Sequence, residues 1–258
     1  MTRAYAAAPM NAAVLLVTGG SRGIGAATAL AAAKAGYAVA VNYQSNSLAA
    51  DQVVRGIRDS GGQAMALQAD VSREDEVMAM FARIDAKWGP LAALVNNAGV
   101  VDVSSRVDAM GVARLSRMLN THVLGSFVCA REAVLRMSTR HGGTGGGIVN
   151  LSSAASKMGS PGQYVDYAAC KGAIDTFTIG LAKEVAAEGI RVNAVRPGII
   201  ETDIHASGGE PDRAQRLALQ VPMQRPGSAQ EVANAIVWLL SPQASYCTGA
   251  LLDVGGGR

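Results

Sequence analysis

Short runs of apolar residues alternate along this chain with longer segments whose apolar positions recur at helical spacing. The short runs contain few polar residues, which is typical of strands that are covered on both faces in a parallel sheet. The runs predict strands at 14–18, 38–42, 64–69, 92–95, 148–151, 191–195 and 250–254. Helices are predicted at 23–36, 47–60, 74–88 and 230–240, and two long helices flank the fifth strand.

Repeated strand–helix units with right-handed crossovers predict an α/β fold, a doubly wound (Rossmann) parallel sheet of about seven strands with helices on both faces. No Pro- or Ser-rich linker divides the 258 residues, so we expect one domain over 1–258. Residues 1–12 would form an N-terminal extension. Residues 199–226 are too long and polar for a simple connection, and we predict that they form a substrate lid.

Composition narrows the functional classes. The net charge of +3 is small and scattered, which disfavours a nucleic-acid partner. The cysteines, Cys129, Cys170 and Cys247, are far apart, and the three histidines show no metal-ligand spacing, so we expect neither disulfide nor metal. No apolar run reaches 18 residues and no signal peptide is recognisable, so we predict a cytoplasmic protein without a membrane segment.

A glycine-rich loop follows the first predicted strand and opens the first helix, with the sequence Thr18-Gly-Gly-Ser-Arg-Gly-Ile-Gly25. Its glycines allow a sharp turn and a close approach to a pyrophosphate, which the free N–H groups of a helix N-terminus attract. The alternative is a tight strand–helix turn without a ligand. Its position at the start of a βα chain favours the dinucleotide interpretation.

The cofactor type is indicated at two positions. An NAD site normally has Asp or Glu at the end of the second strand, whereas this chain has Asn42 and Tyr43. Arg22, inside the glycine loop, can pair with a 2′-phosphate. We therefore predict a preference for NADP(H), with use of NAD(H) left open. The alternative for Arg22 is a solvated loop charge.

Tyr167 and Lys171 are four residues apart in a predicted helix, so they share a face. A lysine charge about 5 Å from a phenol lowers its pKa by roughly two units at an effective dielectric near 20. The pair is expected to be an acid–base site, and Ser152 and Ser153 just upstream add weight to this interpretation. A packed tyrosine beside a solvated lysine is the alternative.

The glycine loop, Asn96-Asn-Ala-Gly99, Ser152-Ser153, Tyr167-x-x-x-Lys171 and Arg196-Pro-Gly198 stand in the order found in short-chain dehydrogenases/reductases, and this resemblance covers essentially the whole chain. Val41-Asn-Tyr43 and the ending from Gly249 to Gly255 resemble the branch of 3-oxoacyl-carrier-protein reductases and glucose 1-dehydrogenases. The family usually has Ser where Cys170 stands, and Ser153 lies one residue further from Tyr167 than is commonest.

The resemblance implies a role for each matching residue. Tyr167 would be the catalytic acid or base, Lys171 would lower its pKa and hold the nicotinamide ribose, Ser153 would bind the substrate oxygen, and Asn120 would hold a water that relays protons to Lys171. The implied cofactor-binding residues are Gly19, Ser21, Arg22, Gly23, Ile24, Gly25, Asn42, Tyr43, Asp70, Val71, Asn97, Ala98, Gly99, Tyr167, Lys171, Pro197, Gly198, Ile199 and Thr202.

Other residues near these motifs have less definite roles. We expect His122 to pack rather than to catalyse, and His205 to contact substrate or to be solvated. Candidate pocket-wall residues are Met158, Gly159, Gln163, Tyr164 and Asp166. The resemblance also implies a homotetramer in which the long helices around Asn120 and Tyr167 pair, with the last strand near an interface.

The predicted function is NADP(H)-dependent reduction of a ketone or 3-oxoacyl carbonyl, with a small carbonyl or alcohol as the substrate. The first alternative is a sugar or polyol dehydrogenase that runs the reverse reaction with the same residues. The second, of a different class, is a dinucleotide-binding regulator without turnover.

Overall fold

The computed structural model describes residues 12–202 and 208–258. The predicted N-terminal extension, except for its last residue, and His205 lie outside these ranges. The predicted contact of His205 with substrate therefore stays a prediction.

The seven predicted strands form one parallel sheet in the order β3-β2-β1-β4-β5-β6-β9. The strands consist of buried apolar runs, as expected for a parallel sheet that is covered on both faces. The sheet strands are β1 (Val14–Val17), β2 (Ala38–Tyr43), β3 (Ala64–Gln68), β4 (Ala93–Asn96), β5 (Gly146–Leu151), β6 (Ile190–Pro197) and β9 (Leu251–Val254). The doubly wound fold is confirmed, and the strand ends differ from the prediction by one or two residues.

Helices cover both faces of the sheet. The longer helices are α1 (Gly23–Lys34), α2 (Ser47–Asp59), α3 (Glu74–Trp88), α4 (Val112–Leu119), α5 (Gly125–Met137), α7 (Val165–Val185) and α9 (Ala229–Leu240). Apolar residues of α3, α5 and α7 form the core on one face. Those of α1, α2 and α9 form the core on the other face.

Two long helices were predicted to flank β5, and the one that precedes β5 is interrupted by a wider turn. Residues Asn120–Leu124 form a π-helix between α4 and α5, and the backbone of Asn120 stays close to helical dihedrals. A π-turn holds more residues than an α-turn, so it rotates the side chains that follow it. This turn lies beside α7, which carries Tyr167 and Lys171.

A small second sheet joins the start of the predicted lid segment to the residues that directly follow its end. There β7 (Ile200–Glu201) pairs in parallel with β8 (Gly227–Ser228). Between them, α8 (Arg213–Leu217) and a 3₁₀ turn at Ala218–Gln220 lead back toward α9. A further short helix, α6 (Ala155–Met158), precedes α7. Opening and closing of the segment stays a prediction.

Candidate active site

A cleft lies where the carboxyl ends of the parallel strands meet. The strand order reverses between β1 and β4, and doubly wound sheets bind ligands at this switch point. The cleft consists of two adjoining cavities. The nucleotide-side cavity has a volume of about 220 Å³, and the Tyr167 cavity about 380 Å³. Ile24, Asn97, Gly99 and Thr202 line both.

Nearly all of the predicted site residues line this cleft. The residues predicted at the nucleotide end that line the nucleotide-side cavity are Gly19, Ser21, Arg22, Gly23, Ile24, Asn42, Tyr43, Asp70, Val71, Asn97, Ala98, Gly99 and Thr202. Those that line the Tyr167 cavity include Ser153, Tyr167, Lys171, Pro197, Gly198 and Ile199. Gly25 and Asn120 line neither cavity.

The glycine loop is shaped by close backbone approaches. Gly19 has φ +59°, and a Cβ there would lie 2.9 Å from the Cα of Ala98. Gly25 is buried beneath the loop, and a Cβ there would lie 2.3 Å from the carbonyl oxygen of Gly19. The N-terminus of α1 above it has no acidic residue in its first turn and no side-chain cap. Its free N–H groups therefore suit an anion such as a pyrophosphate.

Two asparagines that were expected to contact the cofactor line the nucleotide-side cavity and also hold the glycine loop in place. The buried Asn42 accepts from the Gly19 N–H (3.1 Å) and donates to the Ala69 carbonyl (3.0 Å). Asn97 donates to the carbonyl oxygens of Thr18 (2.8 Å) and Gly19 (2.9 Å). Because both side-chain amides hydrogen-bond to the backbone, they support the glycine loop. This loop, with the N-terminus of α1, is called the glycine-loop cradle below.

Among its described lining residues, the nucleotide-side cavity has one acid, Asp70. The carboxylate of Asp70 accepts from Ser72 (2.7 Å) and from Gln44 (2.8 Å). Burial raises its pKa, but the hydrogen bonds from Ser72 and Gln44 outweigh this effect and lower it. Arg22 is exposed at the cavity and pairs with no acid in the described ranges. This cavity therefore offers a free cation near Tyr43.

Tyr167 and Lys171 share a face of α7, as their spacing predicted. The Lys171 Nζ lies 5.5 Å from the centroid of the Tyr167 ring and donates to the Leu151 carbonyl at 2.5 Å. The amine thus contacts the ring rather than the phenolic oxygen. Burial lowers the pKa of Lys171 to about 8.

The expected acidification of the phenol by the lysine is absent in this geometry. Burial raises the pKa of Tyr167 above its ordinary value, and a hydrogen bond with Ser153 offsets part of that rise. A protonated phenol is a proton donor, so the site has an acid ready at neutral pH.

The two serines after β5 have different partners. Ser152 is buried and donates to the Lys171 carbonyl at 3.2 Å. Ser153 lies in the Tyr167 cavity, hydrogen-bonds with Tyr167, and accepts from the Ala155 N–H at 3.1 Å. The geometry therefore favours Ser153 as the residue that faces a substrate oxygen.

Asn120 lines neither cavity and is exposed at the start of the π-turn. The relay role that the resemblance implied for it stays a prediction. Two residues later, His122 is buried and lines the Tyr167 cavity. Its ring contacts that of Tyr167 edge to face. The expectation that His122 packs is met, but it packs inside the site.

The ring nitrogens of His122 have different surroundings. Its Nε2 lies 2.7 Å from the Val100 carbonyl oxygen and 3.2 Å from the Val100 backbone nitrogen. Its Nδ1 is buried without a partner. Burial, together with the charge of Lys171, lowers the pKa of His122 to about 3. The imidazole is therefore neutral at ordinary pH.

Among the predicted wall residues, Met158, Gln163 and Tyr164 line the Tyr167 cavity, whereas Gly159 and Asp166 do not. Asp166 instead pairs with Arg114 at 2.7 Å.

Arg213 and Arg258 also line the Tyr167 cavity and were not predicted as site residues. Their segments carry no local motif, so only the tertiary fold indicates them. In the described ranges, no group of three His, Cys, Asp or Glu side chains could hold a metal. No described helix is both long and apolar enough to cross a membrane.

Known proteins are similar to this chain over nearly its whole length. A family model described as "Enoyl-(Acyl carrier protein) reductase" matches residues 19–258. The "Uncharacterized oxidoreductase YgfF" of Escherichia coli K12 is 60% identical over 246 residues, which are 95% of this chain and 100% of that protein. A "3-oxoacyl-[acyl-carrier-protein] reductase FabG" of Staphylococcus aureus Mu50 is 38% identical, over 94% of this chain and 96% of that protein.

Solved structures are similar in both fold and sequence. A double mutant of a Serratia marcescens short-chain dehydrogenase/reductase superposes with a TM-score of 0.87 at 32% identity, covering 97% of this chain and 99% of that chain. A short-chain dehydrogenase from Burkholderia cenocepacia J2315 in complex with NADP has a TM-score of 0.86 at 32% identity, covering 94% and 96%.

Proposed function

Because the chain belongs to the short-chain dehydrogenase/reductase family, and is thus an NAD(P)-dependent oxidoreductase, we propose that it reduces a ketone or 3-oxoacyl-type carbonyl with NADP(H). The observation that carries the proposal is the placement of Tyr167 and Ser153 in a cavity that adjoins the glycine-loop cradle. The cradle fits a dinucleotide, because the uncapped N-terminus of α1 offers free N–H groups there and the close backbone approaches at Gly19 and Gly25 fix the turn of the loop.

The reaction requires one hydride and one proton. A bound nicotinamide supplies the hydride to the carbonyl carbon. The hydroxyl of Tyr167 donates its proton to the carbonyl oxygen, which Ser153 holds by a hydrogen bond as negative charge develops. Lys171, whose pKa burial lowers to about 8, lies beside the ring of Tyr167 and is held there by the Leu151 carbonyl. The neutral His122 supports the other side of the same ring.

The preference for NADP(H) over NAD(H) rests on Arg22. Its guanidinium lies at the nucleotide-side cavity, free of a described acid, and no acid ends β2 to bind a ribose diol. The B. cenocepacia neighbour in complex with NADP supports the same choice.

A sugar or polyol dehydrogenase would use the same residues in reverse, with Tyr167 as the base. The 3-oxoacyl reductase named among the relatives favours the carbonyl substrate, and hence reduction. A non-catalytic regulator would have no need for Ser153, Tyr167 and Lys171 to meet in one cavity.

Subunit pairing is part of the proposal. Exposed apolar residues lie on α5 and α7, among them Phe127 and Ile179. The ring of Phe127 stacks on Phe177 of α7 at 3.8 Å between centroids. Burial of these helix faces against other copies would form a homotetramer, and sedimentation velocity measures that state directly.

One assay decides among the functions. The purified protein is given a panel of ketones and 3-oxoacyl thioesters with NADPH, and a panel of sugars and polyols with NADP⁺. Turnover confined to the first panel supports the proposal, and turnover confined to the second supports the dehydrogenase. Cofactor binding without turnover in either panel supports the regulator.

A further inference from the structure

Two guanidinium groups line the Tyr167 cavity at the described positions, and they differ in their partners. Arg213 contacts the Glu210 carboxylate (2.9 Å) and donates to the Gln163 side-chain oxygen (2.7 Å). Its charge is therefore already paired within the protein. Arg258 has no ion pair with any described acid, and its Nη1 is buried without a hydrogen-bond partner.

The backbone beside Arg258 is packed into the fold. The Arg258 N–H donates to the Gly255 carbonyl at 3.2 Å. Gly198 approaches this turn so closely that a Cβ there would lie 2.7 Å from the Cα of Gly255. Gly256 and Gly257, with φ of +63° and +91°, pack on Val221 and Pro222. The guanidinium is thus held at the cavity by a turn with many contacts.

A buried guanidinium nitrogen without a partner calls for an acceptor. Removing such an N–H group from water is costly unless it is hydrogen-bonded, and a guanidinium is best matched by an anion. Carboxylate and phosphate oxygens match its donor geometry best. The remaining described cation of the cavity, Lys171, donates to the Leu151 carbonyl beneath Tyr167, so it does not occupy this place.

We propose that Arg258 binds an anionic group of the substrate, and that the enzyme therefore acts on an oxo compound carrying a carboxylate or a phosphate. The inference rests on the proposed reductase function and specifies the substrate class of the same cavity. The anion would lie at Arg258 and the reacting carbonyl at Ser153 and Tyr167, which line the same cavity.

The test compares charged and neutral forms of one carbonyl. Acetoacetate is assayed against methyl acetoacetate, and dihydroxyacetone phosphate against dihydroxyacetone, with NADPH, in the wild type and in Arg258→Gln. Arg55→Gln serves as the control, because Arg55 is exposed on α2 and away from the cleft. We expect Arg258→Gln to lower the charged-to-neutral ratio of kcat/KM by about 10- to 100-fold for at least one pair, as expected when a hydrogen bond to a charged group is lost. Arg55→Gln should keep the wild-type ratio.

The outcomes separate this inference from the proposed function. A ratio that Arg258→Gln leaves unchanged for both pairs overturns the anion site, while turnover of the neutral ketones would still support a reductase. If no probe is turned over, calorimetric binding of the two anions to the NADP⁺ complex replaces the assay. Binding that Arg258→Gln weakens supports the site, and absence of binding to the wild type overturns it. Selectivity between acetoacetate and the phosphate identifies which anion the site takes.

Discussion

The imidazole of His122 meets the phenol ring of Tyr167 edge to face, with centroids 5.3 Å apart and ring planes at 82°. A T-shaped contact places the positive edge of one ring against the negative face of the other. His122 belongs to the π-turn, and the contact of its Nε2 with the Val100 carbonyl holds its ring in place. Through this ring, the wider turn of the helix helps to orient the ring of Tyr167.

The depressed pKa of His122 makes stability depend on pH. His122 has a pKa of about 6.5 in the unfolded chain and about 3 in the folded chain. Between these two pH values the imidazole is protonated in the unfolded chain and neutral in the folded chain. His122 therefore lowers the free energy of unfolding as pH falls from 6.5 to 3, by up to about 1.4 kcal/mol per pH unit. Urea denaturation of the wild type and His122→Gln across this range should show a shallower slope for the variant. Parallel curves would contradict the assignment.

Removal of the phenolic hydroxyl tests the acid–base role. Tyr167→Phe keeps the ring and its contact with His122 but has no proton to donate. We expect kcat to fall by about 10²–10⁴-fold while NADPH binding, followed by fluorescence titration, stays near that of the wild type. Near-normal turnover would reject Tyr167 as the acid.

Arg22 tests the cofactor preference. Arg22→Ala removes the free cation of the nucleotide-side cavity, so the KM for NADPH should rise by about tenfold or more, and the KM for NADH should change little. Steady-state kinetics with both cofactors measure the two values. Equal effects on both would mean that Arg22 is only a solvated loop charge.

A matched pair of glycine substitutions tests the cradle. In Gly25→Ala the new Cβ would lie 2.3 Å from the Gly19 carbonyl, so the loop must shift and both the melting temperature and NADPH affinity should fall. In Gly56→Ala the Cβ would lie 3.6 Å from a Leu30 side chain, an ordinary contact in the middle of α2. This control should be neutral or stabilising by up to about 1 kcal/mol. Equal losses in the two variants would show that the close approach has no special role.

By itself, the sequence determined the elements and their order. Unbroken apolar runs indicated strands covered on both faces, and the spacing of Tyr167 and Lys171 put them on one helix face, because both depend on the local periods of the backbone. The glycine loop was recognisable for the same reason: its residues are consecutive and follow a strand directly.

Tertiary structure alone decided which polar groups meet and which are already engaged. Asn42 resembled a cofactor contact, but its amide is engaged by Gly19 and Ala69, which are distant in sequence. Asn120 and His122 are two residues apart, and a π-turn that no local pattern indicated exposes the first and buries the second beside Tyr167. The spacing predicted a lowered pKa for Tyr167, whereas burial raises it, because desolvation depends on the whole surrounding fold and the position of the lysine amine depends on a carbonyl from another strand.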